Sequence, residues 1–441
     1  MRYDRRGLAV TTESSTAVEH LDAAIGSALG HRRDCAEHLA RALAADPDCA
    51  LAHLLAGFGQ MLLGRSELIG PARLVAAKAR AAIAARGGTA RERGVLDALD
   101  AWLAGDMELT AALLDRQVAA EPHDALAFKL AHSVRFMLGD AAGMRLMADL
   151  TVKAWSPDVP DYGYILGCRA FALEETGALV TAERVGREAL ERETLDAWGC
   201  HAVAHVFETR RDPASGLAWL AWREAQFAGI NNFGRHLFWH EALLRLAQSD
   251  FEAVLALYDE KVRAERSDDY RDIANAASLL WRLERAGAAV GVRWEELADL
   301  AERRISDRAL AFAQLHYLMA LTGARRWPAA EAMLEAMREA AASPQVTQHR
   351  LLAQRGIPLG EIMLGLQRGA VDLSQDAAAT LRAALPALGG SHAQRDVFAG
   401  MLSEAAATAQ PRAVIRSLAE ARRQRRLAER PGTLAVAGLR A

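Results

Sequence analysis

The sequence predicts an all-α protein, a right-handed superhelix (α-solenoid) of degenerate tetratricopeptide-type helix pairs. Three observations lead there. Strong helix formers dominate and alternating Val/Ile/Thr/aromatic runs are scarce. Apolar residues recur three and four apart. In ALVTAERVGREALERE (178–193), Leu179, Ala182, Val185, Ala189 and Leu190 form one face, opposite Glu183, Arg184, Arg187 and Glu188. Finally, a hinge repeats: WLAGD (102–106) returns 34 residues later as FMLGD (136–140), and Gly177 lies 34 before Arg211. That period belongs to tetratricopeptide repeats, whose helix pairs bury their apolar faces only by stacking.

Each element follows from this frame. The breaks are short and hold Gly, Pro or Asp: DPDC (46–49), EPHD (121–124), SPDVPD (156–161) and RRDP (210–213). Such segments suit helix–helix turns. LAQSDFEAVLALYDE (246–260) and LTGARRWPAAEAMLE (321–335) repeat the hinge with insertions, Gly323 taking its place in the second. The first helix of each pair is expected on the concave side. The competing architecture is an irregular α-bundle with chance similarity at the hinges. The solenoid is placed over 1–410, with a C-terminal capping helix and tail over 411–441. The arginine-rich RSLAEARRQRRLAERPG (416–432) reads as a solvated cap, because Glu420 and Glu429 interrupt it, and TLAVAGLRA after it as a loose tail or short strand.

Bulk properties narrow the function. A chain of 441 residues exceeds one ordinary core, as a solenoid allows. A net charge of −3 gives no pull toward nucleic acid. No apolar run is long enough for a membrane span or follows the N-terminal arginines as in a signal peptide. Cys35, Cys49, Cys168 and Cys200 show no Cys-x-x-Cys spacing, so free thiols and a cytoplasmic location are expected. A Cys-His or Ser-His-Asp nucleophile is not assignable: Cys200 neighbours His201, but adjacent helical residues diverge.

The histidines carry the chemistry. Among thirteen, His201/His205 and His236/His240 form two His-x-x-x-His pairs. Four residues on a helix stack both rings on one face, where they can share a metal. Glu208 falls on the same face and is read as a third ligand or general base. His53, His132 and His316 precede hinges on comparable faces, so several helices are expected to aim imidazoles at one interior. His132 and His316 are then substrate-contacting groups, and His53 and the aromatic Trp198 and Trp239 line the cavity. Arg395 and Asp396, in GGSHAQRDVF, are read as a buried pair fixing the C-terminal helices or as an anion clamp and acid. Ser391 is the expected helix cap. His20, His31, His38, His123, His349 and His392 read as surface or loop residues.

The segments ALAFKLAHSVRFMLGD, AWSPDVPDYGY, LDAWGCHAVAHVFET, HLFWHEALLRL and LGGSHAQRDVF, in that order, resemble the tetratricopeptide repeat protein 38 family of bacteria and animals. The resemblance implies an α-superhelical fold, with histidines at His53, His132, His201, His205, His236, His240 and His316, a carboxylate at Glu208, and the Gln394-Arg395-Asp396 run. His392 departs from it, standing where a relative has asparagine. No activity follows from the resemblance. Two functions therefore remain. One is a binding protein that holds a small molecule or peptide in a histidine-lined concave groove, with a divalent metal (zinc, iron or nickel) as a potential component. The other is a metal-dependent hydrolase or oxidoreductase built on His201, His205, His236, His240 and Glu208. Either would leave the ends of the stack to be covered by a cap or by a second copy in a homodimer.

Overall fold

A computed structural model describes residues 1–408. These residues are mostly helical, with 21 α-helices between Ser15 and Ala384, a further helical stretch over 392–408 and one two-stranded antiparallel pair, Arg2–Tyr3 with Ala9–Val10. The segment 411–441, assigned above to a cap and tail, lies outside the described residues.

The recurring hinge has a simple physical content. Gly105 (φ +88°), Gly139 (φ +69°), Arg211 (φ +56°) and Ser249 (φ +60°) all take the left-handed conformation. Each is followed by an aspartate that starts the next helix. Asp106 accepts from the Leu109 amide at 2.8 Å, Asp140 from Gly143 at 2.8 Å, Asp212 from Ser215 at 3.2 Å and Asp250 from Ala253 at 3.4 Å. One residue turns the chain out of a helix and the next caps the orphan amides of its successor. Glycine takes the turn without strain, whereas Arg211 and Ser249 accept a cost of about 1 kcal/mol or more. The last expected hinge shifts: Gly323 closes its helix and Arg325 (φ +57°) makes the turn. Gly323 is needed instead because a Cβ there would meet the Trp294 ring at 2.5 Å.

First and second helices of successive pairs differ in burial. Helix Leu179–Arg192 buries only one face, through Ala182, Val185, Gly186, Ala189 and Leu190. Helix Ala197–Thr209 is buried all round from Ala197 to Phe207, as is Ala311–Gly323 from Ala311 to Thr322. Helices Tyr162–Glu175, Ala197–Thr209, Phe233–Ala247, Tyr270–Arg285 and Ala311–Gly323 pack in succession as an inner row. These two helices present no solvent-lined face along those stretches. The helical residues 392–408 lie against the row, where Arg282 Nη2 donates to the Ala393 carbonyl at 2.8 Å. Early and late units also touch: Ser66 Oγ donates to Asp307 at 2.7 Å, and the Thr347 amide to Gly105 O at 2.9 Å.

The N-terminal segment is tied in by a buried ion network. The Arg91 guanidinium donates to both oxygens of Asp124, each at 2.9 Å, and to Asp4 at 2.8 Å, all three side chains being nearly inaccessible. Asp124 also caps helix Ala125–Leu138. Removing the cation strands two buried carboxylates. Arg91→Ala should cost about 3–5 kcal/mol in a urea unfolding titration; a loss below about 1 kcal/mol would show that the network is solvated.

Candidate metal centre

Four neighbouring inner helices build the site. The two His-x-x-x-His pairs meet face to face, because each spacing of four stacks its rings toward the adjacent helix. His201 Nε2 lies 3.0 Å from His236 Nε2 and 3.0 Å from His205 Nε2, and His236 Nε2 lies 3.2 Å from His240 Nε2. The four side chains are buried, His236 being the most exposed at 8%. A tetrahedral ion with Zn–N bonds of about 2.0–2.1 Å needs nitrogens about 3.3–3.4 Å apart. The observed spacings approach that edge.

The outer nitrogens fix the direction of the inner ones. Asn275 Oδ1 accepts from His236 Nδ1 at 3.0 Å, and Glu208 Oε2 accepts from His240 Nδ1 at 2.9 Å. Glu174 Oε2 faces His205 Nδ1 at 3.5 Å. A neutral imidazole with its proton on Nδ1 presents a lone pair at Nε2. The lone pairs of His236 and His240 thus converge beside the Nε2 atoms of His201 and His205. Burial first, then the neighbouring imidazoles, lowers the His201 and His236 pKa well below the ordinary value, and burial does the same at His240. The residues present fit a metal ion: nitrogen donors, neutral, convergent and backed by carboxylates.

Glu208, read from sequence as a third ligand or a base, stands behind His240 and orients its ring through this bond. Around the imidazoles, Trp198 is central, with its ring 5.0 Å from His201, 4.8 Å from Phe171, 5.3 Å from Phe233 and 5.6 Å from His132. His132 is one aromatic layer away from the four, buried, with both ring nitrogens unpartnered. Trp239 stacks on His236 at 5.0 Å. These rings seal the centre and do not line an open pocket. His132 and His316, expected to contact substrate, are each 1% exposed. His316 bonds the Phe312 carbonyl of its own helix at 2.8 Å, packs on Phe398, and is lowered to about 4 by burial. His53 bonds the Pro47 carbonyl at 2.8 Å in the preceding turn. Each thus bonds a nearby backbone carbonyl through one ring nitrogen, while His53 Nδ1 is buried without a partner.

The GGSHAQRD segment behaves partly as expected. Ser391 Oγ accepts from the Gln394 amide at 3.2 Å and Gln394 Oε1 from the Ser391 amide at 3.0 Å, a reciprocal cap. Arg395 does not pair with Asp396, which is exposed. It donates to Glu175 at 3.2 Å and to the Gly390 carbonyl. His392, set aside as a surface residue, sits with its ring 5.2 Å from His205 and bonds Glu175 at 2.9 Å. Burial would lower His392, but the Glu175 bond and the Glu175, Glu174 and Glu208 charges raise it to about 9. Conversely, Glu175 falls to about 2 against its burial, held by His392 and Arg395. His31 was also misplaced: it stacks on Phe233 at 4.5 Å, and Lys129 Nζ donates to its Nε2 at 3.1 Å.

The residues not singled out from sequence are Glu174, Glu175, Asn275 and His392. Glu174 and Glu175 stand directly before the Thr176-Gly177 turn, so the hinge register could have placed them at the same helix end as Glu208. Nothing local marks Asn275. The four cysteines are free, and burial pushes their thiols up to about 11, or about 12 for Cys200. Thiolate chemistry is disfavoured at each of them. No protein-family model matches the chain.

Asp196 caps helix Ala197–Thr209 by accepting from the Trp198 amide at 3.1 Å, and burial raises its carboxyl to about 7. A raised carboxyl contributes stability that is complete below its unfolded value near pH 3.8 and is lost as pH rises through 7. Asp196→Asn retains an accepting oxygen without the charge. The melting temperature of D196N should therefore rise relative to wild type between pH 4 and pH 8. A difference that stays constant over that range would show that Asp196 is not buried as described.

Proposed function

We propose that this chain is a metal-binding helical-repeat protein, a right-handed superhelix of tetratricopeptide-type pairs akin to the tetratricopeptide repeat protein 38 family. In this reading one divalent transition-metal ion sits among His201, His205, His236 and His240. The convergence of imidazole lone pairs in a site too buried to protonate carries the proposal. Zinc suits the four-nitrogen, closed arrangement best, since it has no d-electron preference against a tetrahedron; nickel favours tetragonal sites. Glu208 and Glu174, each behind one imidazole, offset the charge of the ion. The metal would join two neighbouring inner helices, Ala197–Thr209 and Phe233–Ala247, so its binding energy is also folding energy.

The groove-binding reading loses its support, because the imidazoles face each other and aromatic rings close around them. A metal-dependent hydrolase or oxidoreductase is the second reading. The observation in its favour is that the carboxylate side of His205 reaches solvent through His392, whose side chain is 38% exposed.

Protein purified without an affinity tag should carry about one zinc per chain by elemental analysis, and chelation should lower its melting temperature. His201→Ala should abolish stoichiometric binding. Glu208→Gln should weaken zinc affinity about 10–100-fold with the fold intact. A wild-type chain that is metal-free as purified and takes up no zinc, cobalt or copper sinks the proposal.

A further inference from the structure

Behind His205, on the side away from the four inward nitrogens, lies a second group of donors. Glu174, Glu175 and His392 each bring a ligand atom to within 4.8 Å of the others and of His205. Glu174 closes helix Tyr162–Glu175, His205 belongs to the adjacent inner helix, and His392 starts the C-terminal helical residues 392–408. Three elements distant in sequence thus converge on one point.

Two atoms there lack hydrogen-bond partners although both are inaccessible. Glu174 Oε2 and His205 Nδ1 face each other across 3.5 Å. That separation is too long for a good hydrogen bond and leaves a buried carboxylate oxygen unsatisfied. The other atoms of the cluster are anchored. Glu174 Oε1 accepts from Thr209 Oγ1 at 2.8 Å and lies 3.4 Å from His392 Nε2. Glu175 Oε1 accepts from the His392 backbone amide and from Nδ1, each at 2.9 Å, while Arg395 holds Oε2. The donors are thus fixed in place, and the unsatisfied pair points into the space between them.

We infer a second divalent-cation site formed by Glu174, Glu175, His392 and Nδ1 of His205, with His205 as a bridge between this ion and the one held by the four imidazoles. Because it shares His205 with that centre, the inference rests on the four-imidazole reading. The two sites differ in kind. The first has four nitrogens and is closed. The second has two carboxylate oxygens and two imidazole nitrogens, a donor set for zinc, iron or manganese. It lies near the surface at His392, where a coordination position can stay open to water or to a small anionic ligand. An enclosed ion beside an accessible one assigns fold-holding to the first and ligand binding to the second. Loading the second ion displaces one proton from Nδ1 of His205 and one from Nε2 of His392, whose pKa is raised to about 9 by Glu175, and both protons leave to solvent water.

The test is zinc stoichiometry after chelation, reloading and gel filtration, with copper(II) as a spectroscopic probe. Wild type should hold two zinc ions per chain. His392→Ala and Glu175→Gln, which leave the four imidazoles untouched, should each hold one. With two copper ions bound, coupling through one imidazole should leave the paramagnetic resonance signal well below the bound copper, and either variant should restore it to one full equivalent. One zinc in wild type, lost on His201→Ala, would overturn the second site and leave the first standing. No zinc in wild type would overturn both. Two in wild type and still two in both variants would place the second ion elsewhere and end the proposal. If H392A fails to fold, E175Q and the wild-type count still decide.

Discussion

Four imidazole nitrogens driven together inside a dry helical core are the constraint on which the rest of the molecule depends. The nitrogens lie about 3 Å apart, and the protons of His236 and His240 are committed outward to Asn275 and Glu208, so their inward lone pairs crowd one point that a cation would satisfy. A helical stack could have satisfied its core with leucine at all four places. The surrounding packing enforces the convergence instead. Trp198, Phe171 and Phe233 press on His201, and Trp239 presses on His236, so the rings cannot swing out to water. The energetic consequence is local: a buried polar cluster is stabilising when fully satisfied and costly when it is not.

The architecture explains how such a cluster arises. The inner helices end at left-handed residues, Gly177, Arg211, Ser249, Gly287 and Arg325, and pack side by side in one row, so residues at one height on neighbouring helices meet. Two His-x-x-x-His segments on adjacent first helices then meet without any special loop. Their partners come from the flanking members of the same row, Glu174 from the helix before and Asn275 from the helix after. Regular stacking supplies the geometry, and the aromatic layer supplies the low dielectric that keeps the rings neutral.

Much of this was legible in the amino-acid sequence. Helical periodicity marked the elements, and the Gly-Asp and Arg-Asp hinges marked the turns, because a left-handed residue followed by a capping aspartate has a compositional signature. Spacing of four on one face identified His201, His205, His236 and His240. That aromatic rings close around the four imidazoles was not legible, since periodicity cannot tell a solvent-lined inner face from a packed one. His53 and His316 looked equivalent to the four but are satisfied by carbonyls of their own segments, a distinction that only backbone geometry makes. His392 and Glu175 were missed for the opposite reason: their pairing spans 217 residues, and no local pattern encodes it.

The identity and number of atoms around the ion bear most directly on this account. X-ray absorption at the metal edge of the zinc-loaded His392→Ala variant isolates the four-imidazole centre. The account predicts a single shell of four nitrogens at about 2.0 Å with the outer-shell scattering of imidazole rings. A shell of five or six oxygen scatterers at longer distance, with no imidazole pattern, would contradict it.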